Sequence, residues 1–141
     1  MTSDTGPEDG LTHFLYRSNA RPGFTTEDLR TIVAEARSRN SSCGVTGCLH
    51  YEDGLFFQWL EGPKIALDMI IALIRKDPRH EDMTDLSYGP LTVRRFADWS
   101  MRATDRHRAS LLDWFASNQV STIDRIAYAG SVSAFLVAIS V

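Results

Sequence analysis

A single polar amide, Gln58, lies in the middle of the most strongly apolar stretch of this chain, residues 54–62. The stretch is rich in aromatic residues and leucine, which is typical of a β-strand buried on both faces. Because side chains alternate along a strand, Gln58 shares a face with Phe56 and Leu60. A buried amide that lacks hydrogen-bond partners costs about 1–3 kcal/mol. We therefore expect a polar group inside the domain to meet Gln58, and the identity of that group to decide the function.

Other side chains capable of chemistry are spread along the first half of the chain. Tyr16 lies on one face of a predicted strand, and Asn40 lies at the polar end of a predicted helix, where Asn is also a common C-cap. Arg79 and His80 follow a second predicted helix, and by itself such a polar pair is typical of a solvated loop. No metal site is predicted, because the histidines and the two cysteines lack the spacing of metal ligands.

The elements that carry these side chains follow each other in the order β-α-β-β-α-β-β. The apolar patterns predict strands at residues 11–18, 43–51, 54–62, 83–91 and 92–97, and helices at 25–40 and 63–77. Thr25 and Asp28 form a capping-box pattern at the start of the first helix. Pro63 suits the first position of the second helix, which is apolar almost all round. This order predicts an α+β fold, a ferredoxin-like sandwich with two helices on one face of a mixed sheet.

The other face of such a sheet carries Leu55, Phe57 and Trp59, which need a cover. Two helices predicted at residues 105–117 and 122–139 contain the apolar residues to supply it. We expect both helices to fold back onto this open face; a homodimer is the alternative if they do not. The predicted divisions are a polar tail at 1–10, a domain at 11–102 and a helical extension at 103–141.

The composition is that of an ordinary globular protein. The 141 residues are 43% hydrophobic and carry a net charge of -3, which gives no reason to expect nucleic-acid binding. The apolar C-terminal end, Ala134–Val141, is far shorter than the roughly 20 residues that span a bilayer, so no membrane association is predicted. Two cysteines without a disulfide pattern indicate a reducing, cytoplasmic setting.

Six short motifs follow one another along the chain: Tyr16–Ser18, Arg39–Asn40, Gly44–Gly47, Phe57–Gly62, Asp77–His80 and Arg94–Met101. In this order and spacing the chain resembles BLUF domains, which sense blue light with a flavin. The resemblance runs from Leu11 to Arg102, and the chain is similar to the short stand-alone members of the family, which lack a fused enzyme. The resemblance implies a signalling photoreceptor without catalytic turnover.

The resemblance also implies a flavin, usually FAD with FMN as an alternative, between the two helices of the sandwich. Asn40 would bind the carbonyl and N3–H edge of the ring, and Gln58 would lie at N5 and C4=O with a hydrogen bond to Tyr16. Arg79 and His80 would contact the ribityl or phosphate part, and Arg39 would tune the ring or reach a phosphate. The implied cofactor-binding residues are Tyr16, Arg39, Asn40, Gln58, Asp77, Arg79 and His80.

The implied photochemistry passes an electron and then a proton from Tyr16 to the excited flavin. After recombination, Gln58 is left rearranged by rotation or as a tautomer, and absorption shifts slightly to the red until the dark state returns. The change would travel through the last strand, where Trp99 and Met101 lie. Trp99 is then either a core anchor of that strand or a residue that exchanges places with Met101.

Two other function classes remain open from the residues. A light-independent flavoprotein oxidoreductase would need an acid/base pair, and none is evident. A regulatory domain that binds a small ligand would leave the pairing of Tyr16 with Gln58 unexplained. The photoreceptor would signal to a downstream partner protein that the sequence does not name.

Overall fold

One five-stranded sheet organises the computed structural model, which describes residues 10–105, 108–111, 113–114 and 125–139. The strand order is β4-β1-β3-β2-β5. Strand β5 runs parallel to β2, and the other neighbouring strands are antiparallel. The elements are β1 Leu11–Ala20, α1 Thr26–Cys43, β2 Thr46–Glu52, β3 Leu55–Pro63, α2 Lys64–Lys76, β4 His80–Pro90, β5 Arg102–Asp105 and α3 Arg125–Ile139. The predicted ferredoxin-like α+β sandwich is confirmed.

Helix α1 begins as predicted and ends later than predicted. The hydroxyl of Thr25 accepts from the Asp28 backbone N–H, and the Asp28 carboxylate accepts from the Thr25 backbone N–H, so the capping box is complete. The helix continues past Asn40 to Cys43 and is capped by Gly44, whose φ of 75° is left-handed. Asn40 is therefore not the C-cap, and β2 begins at Thr46 instead of Cys43.

A tight turn joins β2 to β3. Asp53 and Gly54 have positive φ angles of 51° and 79°. Two successive residues of this kind match the twist of a two-residue hairpin, and Gly54 takes its angle without steric cost. The turn predicted here is confirmed, and it sets the register that carries Gln58 into the middle of the sheet.

The last strand lies later in the chain than predicted. Residues 92–97 form no strand, and β5 begins at Arg102. The buried carboxylate of Glu61 explains this difference, because its oxygens accept from the backbone N–H groups of Arg95 and Phe96, each at 2.8 Å. A side chain thus satisfies donors that would otherwise pair with a neighbouring strand. The loop is fixed against β3 by Glu61.

Helices α1 and α2 cover one sheet face. The α2 side chains that pack into this layer are Leu67, Ile70, Ile71 and Ile74. The helix is less completely buried than its sequence indicates, because Ile65, Met69 and Leu73 are exposed. They recur at four-residue spacing, which places them along one outward stripe.

The opposite sheet face is covered by α3. Phe57 and Trp59 of β3 pack there with apolar residues of the C-terminal part, including Leu111, Val132, Phe135 and Leu136. The cover predicted from the second tail helix is confirmed, and it occupies the face on which the homodimer alternative depended. Much of the other predicted tail helix, 105–117, lies outside the described residues, and Asp105 itself ends β5. Over the described part of the chain, no helix has the length and hydropathy of a membrane span.

Candidate functional site

Tyr16 and Gln58 face each other across two adjacent central strands. They are register partners in the antiparallel pair of β1 and β3, and their side chains lie on the helix-covered face. The Tyr16 hydroxyl donates to Oε1 of Gln58 at 2.5 Å, and both residues are buried. The Gln58 amide in turn donates from Nε2 to the sulfur of Met101 at 3.6 Å. The polar partner expected for Gln58 is therefore Tyr16, with Met101 on the other side.

The environment of Tyr16 keeps its phenol protonated. Burial raises the pKa of the Tyr16 hydroxyl well above its ordinary value, the Asp77 carboxylate raises it further, and Arg39 acts in the opposite direction. A neutral phenol retains its proton as a hydrogen-bond donor. Tyr16 is thus poised to donate to Gln58 across the physiological pH range.

A cavity opens beside this pair, between α1 and α2. About 470 Å³ of empty space lies between its lining atoms, and this figure includes space that is open to solvent. It is floored by the sheet, and the two helices and the loop after α2 form its walls. The lining residues are Tyr16, Ile32, Glu35, Ala36, Arg39, Leu49, Phe56, Gln58, Ile74, Asp77, Arg79 and His80. Six of the residues expected at the cofactor therefore surround one cavity, the exception being Asn40.

Asn40 and Arg39 carry buried polar atoms that lack a partner among the described residues. Asn40 is fully buried, and its Nδ2 donates to the Ser100 carbonyl at 2.8 Å, but its Oδ1 accepts nothing. Arg39 Nε, a donor, is equally without a partner. Orphaned buried groups are costly, so the unpaired acceptor of Asn40 and the unpaired donor of Arg39 point to a ligand that offers both a donor and an acceptor. The carbonyl and N–H edge of a flavin ring has this pattern.

An ion-pair cluster lies at another wall of the cavity. Arg79 donates to Asp77 at 2.7 Å and to Glu35 of α1 at 2.8 Å. The Arg79 guanidinium holds the pKa of the Asp77 carboxyl below its usual range, despite partial burial. The two carboxylates hold Arg79 in place beside the cavity, where a phosphate would have to compete with them.

His80 lies at the same end of the cavity with both ring nitrogens engaged. Nδ1 is 2.6 Å from the Ser18 hydroxyl, and Nε2 is 2.6 Å from the Ile74 carbonyl. Its ring is 6.0 Å from that of Tyr16. The contacts indicate that His80 fixes the packing between β4, β1 and the end of α2.

Trp99 and Met101 have different surroundings. Met101 is 1% exposed and contacts Gln58, whereas Trp99 is 38% exposed and outside any strand. The Trp99 ring instead lies 4.7 Å from the Arg102 guanidinium. Trp99 is therefore not a core anchor of the last strand; the exchange with Met101 stays a prediction.

Several lining residues were not singled out from the sequence as cofactor contacts. Ile32 and Ile74 belong to the apolar stripes of the two helices, so their position was detectable as core but not as cavity wall. Glu35 gave no signal, because its partner Arg79 lies 44 residues away. Phe56 shares its face with Gln58, and this alternation was the available clue.

Comparisons with known proteins agree with this geometry. The BLUF family model, described as sensors of blue light using FAD, matches residues 11–102. The photoactivated adenylate cyclase subunit beta of Euglena longa is 39% identical over 100 residues, which are 70% of this chain and 12% of that protein. This chain therefore spans about a tenth of the length of that curated relative.

Solved structures extend the similarity beyond the sheet. The dark-state structure of BlrB, a BLUF protein, matches with a TM-score of 0.74 at 36% identity, covering 91% of this chain and 98% of BlrB. The photo-activated state of BlsA matches with a TM-score of 0.76 at 26% identity, covering 92% of this chain and 94% of BlsA. Family model, fold and site geometry agree, and the chain belongs to the BLUF family of blue-light sensors that use FAD.

Proposed function

We propose that Tyr16 and Gln58 are the photochemically active pair of this blue-light sensor. The observation that carries the proposal is the buried 2.5 Å hydrogen bond from the Tyr16 hydroxyl to Gln58 Oε1, beside a cavity between the two helices. An oxidisable phenol and an amide that can reverse its donor and acceptor ends lie in direct contact there. No described residue pair favours the oxidoreductase alternative.

The residues that would hold the flavin are those whose polar atoms line the cavity or lack a hydrogen-bond partner among the described residues. Asn40 Oδ1 suits the ring N–H, and the unpartnered Arg39 Nε suits a ring carbonyl. Gln58 Nε2 has a second hydrogen to donate beyond the one that faces Met101. When bound, the flavin supplies blue-light absorption and, once excited, oxidising power toward a nearby donor.

Tyr16 then acts as the donor of an electron and a proton. Its proton lies on the hydrogen bond to Gln58 Oε1, so the amide oxygen is the first acceptor in line. Rotation of the Gln58 amide exchanges the groups that face Tyr16 and Met101, whereas tautomerisation leaves both atoms in place and moves a proton from Nε2 to Oε1. Tyr16 afterwards regains its electron and proton. The lasting change is the hydrogen-bond pattern of Gln58, which reverts in the dark.

The change in the hydrogen bonding of Gln58 would affect the rest of the protein through Met101. A reversed Gln58 amide would present Oε1 to the sulfur in place of Nε2–H, so the contact of 3.6 Å would no longer be a hydrogen bond. Neighbouring side chains of α1 hold the same segment, since Asn40 donates to the Ser100 carbonyl and Arg37 to the Met101 carbonyl. Gln58 and α1 thus act on one segment that leads directly into β5.

We propose FAD as the resident flavin, in line with the family description. Arg79 at the cavity wall suits a phosphate, and its ion pairs with Asp77 and Glu35 would rearrange to accept one. The test is chromatography of the flavin released from purified, denatured protein. FAD as the main species supports the proposal, and FMN as the main species contradicts it.

The proposed output is a protein–protein contact and not a reaction catalysed by this chain. Its partner would be a downstream protein. An output outside the sensor is supported by the cyclase relative, because the similar region is only 12% of that protein. Neither Cys43 nor Cys48 forms a disulfide among the described residues, which supports the reducing cytoplasm as the proposed setting.

The experiment that tests this function is an absorption spectrum before, during and after blue illumination, without added reductant. We expect a small red shift that relaxes in the dark. A flavin spectrum that does not respond to light, or that bleaches only when a reduced nicotinamide is added, would contradict the sensor function and favour the oxidoreductase alternative.

A further inference from the structure

A second concave surface lies between α1 and β5, separate from the cavity beside Tyr16 except that Leu49 contributes to both. We call it the arginine groove. Its basic residues come from three segments, and its other charged residue is Asp105. The arginines are Arg30, Arg37, Arg102 and Arg108, with Leu29, Val33 and Leu49 as apolar lining. A chain with a net charge of -3 therefore concentrates positive charge at one place.

Three of these arginines, Arg30, Arg37 and Arg102, are oriented by contacts that leave binding capacity. Arg37 is held through Nε, which donates to the Met101 carbonyl at 3.0 Å, and no described residue binds its terminal nitrogens. Arg102 Nε is buried without a partner among the described residues, and its guanidinium lies over Trp99. Arg30 is exposed and pairs with Glu27 at the surface, a contact of small energy. The guanidinium groups of Arg37 and Arg102 are thus held in position, and that of Arg30 is exposed at the surface. All three are placed to contact an anionic ligand.

Strand β5 offers a backbone edge beside these charges. It is the last strand of the sheet as described, with β2 on one side. Ala103 in its middle is exposed. An exposed edge strand is a template on which another extended segment can add main-chain hydrogen bonds.

We propose that the arginine groove binds an extended acidic peptide segment of a partner protein, added to the edge of β5. In an extended peptide whose acidic and apolar residues alternate, the two kinds of side chain lie on opposite faces. The carboxylates can then contact the arginines, while the apolar side chains contact Leu29, Val33 and Leu49. The groove lining contains no aromatic ring on which a nucleic-acid base would stack, so a peptide fits it better than a single strand of DNA or RNA. The inference rests on the groove alone and does not require light.

The test uses the flavin-loaded full chain in the dark and a fluorescein-labelled peptide of five Glu-Val repeats, followed by fluorescence anisotropy. We expect saturable binding that weakens as salt rises from about 50 to about 500 mM, because exposed charges are screened. A Gln-Val peptide of the same length should bind at least about tenfold more weakly. This comparison leaves the protein unchanged, so it holds even if a variant fails to fold.

Protein variants locate the site. Arg30→Glu and Arg102→Glu should each weaken binding about tenfold, whereas Lys76→Glu, the same charge change at the exposed end of α2, should alter it by less than about twofold. Main-chain pairing is tested with two peptides N-methylated at either the Glu or the Val positions. One should lose binding and the other should keep it, since alternate N–H groups face the edge strand.

Several results would overturn the proposal. Equal binding of the Glu-Val and Gln-Val peptides would show that the arginines do not recognise the peptide by its charge. Equal effects of the groove variants and the Lys76 variant would show that the peptide does not bind in the groove. Full binding by both N-methylated peptides would remove strand addition. Tighter binding of a ten-nucleotide single strand would assign the groove to nucleic acid. An increase of about tenfold or more in peptide affinity on deletion of residues 1–9 would assign it to the chain's own acidic N-terminal segment.

Discussion

The sulfur of Met101 lies 3.6 Å from Nε2 of Gln58, so the residue that leads into the edge strand β5 touches the amide at the centre of the site. Gln58 therefore has two named neighbours, Tyr16 on one side and Met101 on the other. A change in its hydrogen bonding cannot stay confined to the cavity, because one of these neighbours belongs to the segment that continues toward the arginine groove.

Replacement of Gln58 by leucine should keep the flavin and abolish the red-shifted state. Leucine fills similar volume but has no donor or acceptor ends to exchange, and it leaves the Tyr16 hydroxyl without its partner. Flavin content and the light-minus-dark absorption difference measure the two effects separately. A normal photocycle in Gln58→Leu would refute the role given to the amide.

Replacement of Tyr16 by phenylalanine should remove the red shift and increase flavin fluorescence on illumination. The ring is kept, but the oxidisable phenol and its proton are lost. Tyr88→Phe, a change at an exposed tyrosine that donates to Asp68 on the surface, is the matched control and should cycle normally. A native red shift in Tyr16→Phe would show that another residue is the donor.

The face on which Gln58 lies was predictable because strand periodicity is local, whereas its pairing with Tyr16, 42 residues away on another strand, was expected only from the family resemblance. Alternation alone placed Gln58 on the face of Phe56 and Leu60, and the structure puts that face under the helices. The position of the last strand was not predictable in this way. It depends on Glu61, whose carboxylate takes the backbone N–H groups of the loop from 34 and 35 residues away.

The surface position of Trp99 also required the structure. An aromatic residue in a segment read as a strand favours a buried site, but the loop before β5 leaves Trp99 outside the sheet against Arg102. The same holds for Glu35, which reaches Arg79 only because α1 and the loop after α2 converge at the cavity. Such contacts arise from tertiary packing, which overrides local pattern.

The raised pKa of Tyr16 predicts how folding stability depends on alkaline pH. Because the folded-state pKa lies above the ordinary value of 10.0, the unfolded chain loses this proton first as pH rises. The stabilisation is fully present below pH 10 and is lost progressively above it. We therefore expect the thermal midpoint of the parent protein to fall more steeply above about pH 10 than that of Tyr16→Phe. Parallel curves for the two proteins would contradict the buried, neutral phenol.

Glu61 should be a stability determinant of the loop before β5. Its fully buried carboxylate accepts from the Thr46 hydroxyl, the Trp59 indole and the N–H groups of Arg95 and Phe96. Glu61→Ala orphans these four donors, so we expect the free energy of unfolding to fall by at least about 3 kcal/mol. Glu81→Ala, which removes a surface ion pair, should cost no more than about 1 kcal/mol. Comparable losses in urea titrations of both variants would show that Glu61 does not hold the loop.

Light should change hydrogen-exchange protection around Met101 and β5 more than in the buried part of α2. The reason is the contact chain from Gln58 to the Met101 sulfur, together with the hydrogen bonds that Arg37 and Asn40 make to the carbonyls of residues 101 and 100. If Gln58 presents an oxygen to Met101 after illumination, this segment loses one of its anchors and should open more often. Exchange followed by mass spectrometry in the dark and under steady blue light measures the difference, with Gln58→Leu as the light-insensitive control. Equal protection of residues 99–105 in both states, in a protein that still shows its red shift, would exclude Met101 as the route by which the signal leaves the site.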